Sequence, residues 1–347
     1  MRGFAAIIML QGHVFHSFTD TNLRDQSPYV LSQFIGGITP AVFLFLTGVT
    51  LAFLMDSRTH QGMSGGQRVW AALRRAGYLG GLALAFRLQL WLFAAGQSPW
   101  TDIFKVDILN CMAIGIAALA PLAWFTTHDR VRFGAAAGAF IAIASPVISG
   151  LNWSGIHPFV KHYIAPDQNF FSFFPWAAFV AFGLSAGSVI RLVRAEDMQR
   201  MMQWGTLLGL GLIWSAQYFS NLPYSLYSNS DFWVNSPGLI FIKLGVLLLL
   251  ASVAYLWTRH VAPDGWSWIR QLGTTSLLVY WVHTELVYGR WFGEYKDRLS
   301  NGQTAMIAVT VIASMVLLST ARTHLPALLK KRVPSAPEPA LSPAAGD

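Results

Sequence analysis

Ten apolar stretches of roughly membrane-spanning length recur along this chain, and no water-soluble fold can bury them all. A hydrocarbon core about 30 Å thick is crossed by roughly 20 apolar residues in helical form. Candidates fall near residues 3–19, 31–55, 70–95, 104–126, 132–151, 171–192, 202–220, 236–258, 267–289 and 303–322. Only 12% of the 347 residues are charged, against about 25% in a soluble domain. The connections are short and rich in turn formers, such as "SRTHQGMSGGQ" and "SNLPYSLYSNSDF". In lipid every backbone N–H and C=O must find its partner within the protein, which selects helices. The expected fold is all-α: a polytopic membrane bundle of about ten transmembrane helices. Residues 1–325 would form one domain, and 326–347, rich in Pro and Ala, a disordered cytoplasmic tail. No small-residue cleavage site follows the first stretch, so no cleavable signal peptide is expected. The single cysteine, Cys111, permits neither an intrachain disulfide nor a cysteine-based metal cluster.

The net charge of +8 invites a nucleic-acid reading, but its distribution points elsewhere. With the amino terminus cytoplasmic, sixteen Lys and Arg residues lie at cytoplasmic ends, among them Arg2, Arg58, Arg74, Arg75, Arg130 and Arg191. Six lie at outer ends: Arg24, Lys105, Lys161, Arg290, Lys296 and Arg298. The bias sets topology and is dispersed over several cytoplasmic segments, which disfavours a nucleic-acid-binding face.

Ionisable groups within spans are costly and usually face a cavity or a partner. In this topology several share one depth. His13 and His16 lie toward the outer end of span 1, Arg87 in the outer half of span 3, and Asp107 in the first turn of span 4. Lys243 lies in the outer half of span 8, and His283 and Glu285 near the outer end of span 9. Together they imply a polar chamber near the outer face. Each also has a structural reading: His16 as an interhelical hydrogen-bond partner, Lys243 snorkelling outward, Arg87 and Asp107 as an ion pair, Glu285 in interfacial water. His13 and His16, three residues apart, share a helix face. Arg2 lies eleven residues before His13, on the same face and about 16 Å away along the axis. One stripe thus carries a cation at one mouth and a base at the other, which suits a long ligand with an anionic head and a distant reactive end.

"RGFAAIIMLQGH", "ITPAVFLFLTGVTLAF", "VDILNCMAIG", "FFPWAAFVAFGLSAG" and "LGTTSLLVYWVH" occur in that order. Over about residues 2 to 290 this series resembles the catalytic domain of heparan-alpha-glucosaminide N-acetyltransferase and its bacterial relatives. The Arg-Gly-histidine opening is shared with wider membrane acyltransferase families. The resemblance implies transfer of an acyl group from cytoplasmic acyl-CoA to an acceptor on the outer side, in a bacterial inner membrane. It makes the first-span histidine, here His13 and not His16, a general base or transient acyl carrier. It places Arg2 on the CoA phosphates, and position adds Arg74 and Arg75. The implied co-substrate is acetyl-CoA or another acyl-CoA, with no metal.

Chemistry completes the candidate set. An amine or hydroxyl attacking a thioester must lose a proton, and a neutral imidazole accepts it near neutral pH. Asp107 or Glu285 can orient the ring or stabilise its cation, and His283 lies at the same depth. His16, Arg87, Trp176 and Lys243 are the candidate acceptor-binding residues. Trp153, Trp233, Trp281 and Trp291 either stack a sugar or form an interfacial belt. A zinc site of His13, His16, His283 and Asp107 is the weaker reading, because the HExxH context of helix-borne zinc sites is missing. Expected partners are the lipid bilayer, acyl-CoA and a glycan or glycolipid acceptor, with a homo-oligomer left open. The rival classes are a proton-coupled transporter or flippase of an anionic or lipid-linked solute, and a non-catalytic scaffold using its polar residues as interhelical glue. Paired halves with broken helices, the mark of inverted-repeat transporters, are not evident.

Overall fold

The computed structural model describes residues 1–94, 96–261 and 266–331. Among these there is no β-strand, only helices and their connections. In chain order the helices are α1 (Arg2–Phe18), α2 (Ser27–Gly36), α3 (Thr39–His60), α4 (Gly65–Phe93), α5 (Ile108–Leu119), α6 (Thr127–Ser149) and α7 (Pro158–Ile164). They continue as α8 (Phe173–Leu192), α9 (Met198–Ser220), α10 (Pro237–Leu256), α11 (Trp268–Thr274), α12 (Ser276–Tyr288) and α13 (Asn301–Lys331). Several starts are written locally. Ser64 and Gln67 form a capping box on α4, Asp107 and Asn110 another on α5, and Thr126 caps α6.

Among the described residues six helical segments are long and apolar enough to cross a membrane: Ser27–His60, Gly65–Phe93, Thr127–Ser149, Phe173–Leu192, Pro237–Val261 and Asn301–His324. The chain is an integral membrane protein. The expected ten crossings resolve differently elsewhere. Helix α1 has 17 residues, about 25 Å at helical rise. The 104–126 segment is α-helical only from Ile108 and tightens to a 3-10 turn over Ala120–Trp124. The 202–220 segment is the 23-residue α9, which carries Gln203 and Gln217 among its apolar positions. The 267–289 segment is broken at Thr275 into α11 and α12. At the carboxyl end α13 runs on to Lys331, into the segment expected to be disordered, and residues 332–347 lie outside the described residues.

Two cores organise the bundle. In the first, α8 is buried nearly all round and contacts α3 and α6 along most of its length. Small residues make this approach possible. A Cβ on Gly183 would lie 1.9 Å from the Phe45 carbonyl oxygen, and one on Gly48 2.0 Å from that of Val180. Helices α4, α5 and α10 complete this core, and α9 hangs on α10 through the Gly209–Gly245 crossing. Toward the Arg2 end, buried Asp56 accepts from Arg191 Nε at 2.6 Å and from the Thr127 hydroxyl at 3.1 Å, tying α3, α8 and α6 together. The second core joins α1 to α11, α12 and α13 through Leu10, Val14, Leu272, Val279, Val287 and Met315. Here the glycine of the Arg-Gly pair has a structural task. A Cβ on Gly3 would sit 1.9 Å from the Ile269 carbonyl oxygen, so α11 crosses directly over it. Phe43 and Tyr280 pack against both cores, and α1 runs along the seam between them.

Candidate functional site

That seam encloses a cavity of about 600 Å³. Helix α1 contributes Arg2, Met9, Gly12, His13 and His16 to its wall, and α3 contributes Thr39, Phe43, Thr47 and Thr50. Arg75 of α4, Met112 of α5, Ser276 and Tyr280 complete it, with Gln168 and Phe171 reaching in from the segment before α8. The stripe expected on α1 is thus the stripe that faces the cavity, with Arg2 and Arg75 toward one end and His13 and His16 toward the other. Arg75 also borders a second groove of about 700 Å³ with Arg58, Trp70, Arg74 and Tyr78. Of the three candidate anion-binding arginines, Arg75 thus lines both spaces, Arg2 the first and Arg74 the second.

The histidines are arranged by a hydrogen-bond chain. His13 Nδ1 lies 2.9 Å from His283 Nε2, and His283 Nδ1 lies 2.6 Å from the Val279 carbonyl oxygen. A carbonyl can only accept, so His283 carries its proton on Nδ1 and, as a neutral ring, presents a lone pair on Nε2. His13 then donates from Nδ1 and keeps its own Nε2 lone pair free. Burial makes this order firm: His283 is fully buried, and the two rings stack with centroids 5.1 Å apart. Tyr288 closes the other side, its ring edge-on to His13 at 5.2 Å and tilted on His16 at 6.0 Å. His16 is exposed at the mouth, where its carbonyl accepts from Arg24, which also pairs with Asp297. A ring fixed in this tautomer, half-buried beside a cavity, can act as a base or a nucleophile.

Asp107 has a different set of partners. Its Oδ1 accepts from the Leu109 and Asn110 amides at 2.9 and 3.2 Å, and its Oδ2 from Arg87 Nε at 3.1 Å. It caps α5 and pairs with α4, and no hydrogen bond links it to either histidine. The ion-pair reading of Arg87 and Asp107 is the arrangement seen. Asn110 extends it, donating to the Tyr163 hydroxyl at 2.9 Å. Burial, followed by the charge of Asp107, raises the pKa of that phenol.

Glu285 accepts from Trp291 Nε1 at 3.0 Å and from Gln89 Nε2 at 3.4 Å, and Gln89 accepts in turn from Trp281. It borders a third cavity of about 430 Å³ with Arg87, Lys105, Tyr288, Arg290 and Lys296. Lys296 donates to the carbonyls of Tyr288 and Gly289 at 2.8 and 2.6 Å, capping the end of α12, and burial lowers its pKa. Tyr288 is therefore a wall common to this polar cavity and the His13 site. Lys243 sits 4.9 Å from the centre of the Trp176 ring, a cation–π contact between α10 and α8. Neither residue lines the cavity that holds His13. No group of three or more His, Cys, Asp or Glu side chains among the described residues is placed to hold a metal ion.

Sequence reasoning passed over Tyr280, Tyr288, Thr39 and the Gly36–Gly37 pair, all adjoining the site. The glycine pair was the available signal, because two glycines inside an apolar run mark a break or a close approach. Here Gly36 packs on Gly12, whose added Cβ would meet the Gly36 Cα at 3.6 Å, and Gln33 Nε2 donates to the Gly12 carbonyl at 3.0 Å.

Residues 1–213 match the family model described as heparan-alpha-glucosaminide N-acetyltransferase, catalytic. No curated protein matches the chain.

Proposed function

The chain belongs to the heparan-alpha-glucosaminide N-acetyltransferase catalytic family, and from that premise we propose that it moves an acyl group, acetyl by default, across the membrane onto a glycan or glycolipid. The donor is an acyl-CoA that enters at the Arg2 end, which the distribution of Lys and Arg makes cytoplasmic. The acceptor is an amine or hydroxyl at the His13 end, and the membrane is a bacterial inner membrane.

One observation carries this reading: a single cavity bears Arg2 and Arg75 toward one end and His13 toward the other. Arginine suits phosphate oxygens because its planar fork donates several N–H groups at once. Arg2, Arg74 and Arg75 hold the anionic head of the donor, with Trp70 beside them in the adjoining groove. The flexible arm runs along α1 and brings the thioester to His13. There the free Nε2 takes the proton of the acceptor N–H or O–H as its heteroatom attacks the thioester carbon. The C–S bond breaks, and the thiolate recovers the proton from His13. His283 is a positioning residue that fixes the tautomer. Asp107 acts at one remove, by anchoring Arg87 and the start of α5. The third cavity, with Glu285, Arg87 and Tyr288, receives the acceptor. His16 flanks the mouth, and Trp176 and Lys243 serve the bundle around it.

The test is consumption of acetyl-CoA by purified protein in detergent, followed as free thiol, with and without an amino sugar or a membrane glycan extract. Turnover should require the acceptor and vanish in His13→Ala with expression intact. Unchanged turnover in His13→Ala would overturn the assignment. Solute uptake into proteoliposomes without any CoA would favour transport instead.

A further inference from the structure

The start of α3 holds donors that the protein leaves unused. Three threonines of this helix line the His13 cavity. Thr47 and Thr50 return their hydroxyls to the Phe43 and Thr47 carbonyls, each at 2.8 Å. Thr39 does not: its hydroxyl oxygen is buried with no hydrogen-bond partner, in a residue only 4% exposed. The backbone repeats the pattern. Ile38 at the N-cap makes no side-chain cap bond, and Pro40 has no N–H. The amides of Thr39 and Ala41 find no acceptor among the described residues. A buried helix start ordinarily has its orphan N–H groups satisfied by a cap, by water or by a ligand. The positive end of the helix dipole adds to their preference for a negative oxygen.

The place is set by the elbow between α2 and α3. Gly36 packs on Gly12, the neighbour of His13, and Thr39 follows three residues later. From there α3 runs back along α1. Thr39 and Thr50 are eleven residues apart on one helix, as are His13 and Arg2 on the other, so each pair spans about 16 Å. Both pairs line the same cavity, so Thr39 and His13 face one space and the Gly12–Gly36 contact holds the α2–α3 elbow beside His13.

We propose that the start of α3 is the oxyanion site of the transfer, the Thr39 hydroxyl and the Thr39 N–H group donating to the acyl carbonyl oxygen. This rests on the acyl-transfer reading and extends it to a residue on the far wall. As the acceptor heteroatom bonds to the carbonyl carbon, the C=O pair moves onto oxygen, where the donors meet it. The pair returns as the C–S bond breaks. Donors held ready where charge develops need no rearrangement at the moment of reaction.

The experiment compares Thr39→Val and Thr39→Ser in detergent-purified full-length protein, measuring kcat, KM for acetyl-CoA and melting temperature. Thr39→Val is isosteric and removes only the hydroxyl; kcat should fall about 100-fold, the scale of losing one oxyanion donor. KM should stay within about two-fold, because the interaction belongs to the transition state. Thr39→Ser should retain most of the rate. Melting temperature should hold or rise in Thr39→Val, since the hydroxyl removed had no partner in the resting protein. A wild-type kcat in Thr39→Val would overturn the proposal. So would kcat and melting temperature falling together in both variants, which assigns Thr39 to packing. Wild-type protein that transfers no acyl group from acetyl-CoA or longer acyl-CoAs would overturn the underlying function first, and this proposal with it.

Discussion

His283→Phe isolates the tautomer-setting role from every other task of that residue. Phenylalanine keeps a flat ring where His283 stacks on His13, with centroids 5.1 Å apart and planes 18° from parallel. It removes the acceptor for His13 Nδ1–H, which lies 2.9 Å away. That buried N–H would then lack a partner, at a cost of about 1–3 kcal/mol. The lost acceptor is felt most in the transition state, where His13 becomes a cation; a loss of that size there, at about 1.4 kcal/mol per factor of ten, lowers kcat by roughly 5- to 150-fold. Part of the loss is direct: once Nδ1 is unpaired, the proton can move to Nε2 and leave no base facing the cavity. His283→Gln returns an acceptor oxygen to the same region and should recover part of the rate. The assay is thiol release from acetyl-CoA with a fixed acceptor, and KM for acetyl-CoA should change little. The melting temperature should move by only a few degrees, because the Val279 carbonyl keeps its helical partner. A well-folded His283→Phe with kcat within two-fold of wild type would refute the hydrogen-bond chain as the organiser of His13.

Other perturbations separate packing from chemistry. Gly183→Ala places a Cβ 1.9 Å from the Phe45 carbonyl oxygen and should cost about 1–3 kcal/mol. Gly77→Ala, with open space around the same position, should be neutral or stabilise by up to about 1 kcal/mol; thermal unfolding in detergent compares the two. Asp107→Ala removes the α5 cap, worth about 1 kcal/mol, and also leaves Arg87 without its carboxylate. It should therefore lower the melting temperature more than Asp107→Asn, which keeps an oxygen for the Leu109 and Asn110 amides. A catalytic carboxylate would show the reverse weighting, with activity lost and stability kept. Arg75→Gln should raise KM for acetyl-CoA about ten-fold with kcat nearly unchanged, the pattern of lost uniform binding, as measured by steady-state kinetics.

How much of this was legible in the residues can be followed along single elements. Membrane residence and helical class were legible because backbone satisfaction in lipid leaves few options, and apolar length alone tests for them. The family was legible because five short motifs keep their order across most of the chain. Breaks inside the apolar segments were not. Hydropathy averages over breaks, so Thr275 and the Gly37–Ile38 elbow vanished into apolar windows.

The site divides the same way. From its own helix, span 1 determined that Arg2 and His13 share a face about 16 Å apart, since helical geometry is local. It could not determine what His13 meets, because the partner lies 270 positions away and shared depth is not contact. Glu285 and Asp107 matched His13 in depth as well as His283 did, yet only packing of α1 against α12 chose the histidine. The glycine of the Arg-Gly pair read as part of a motif, and only the crossing of α11 gave it a reason: no Cβ fits there. Thr39 stands in the second-span motif, yet the motif could not single out its hydroxyl, since lacking a partner is a property of its neighbours.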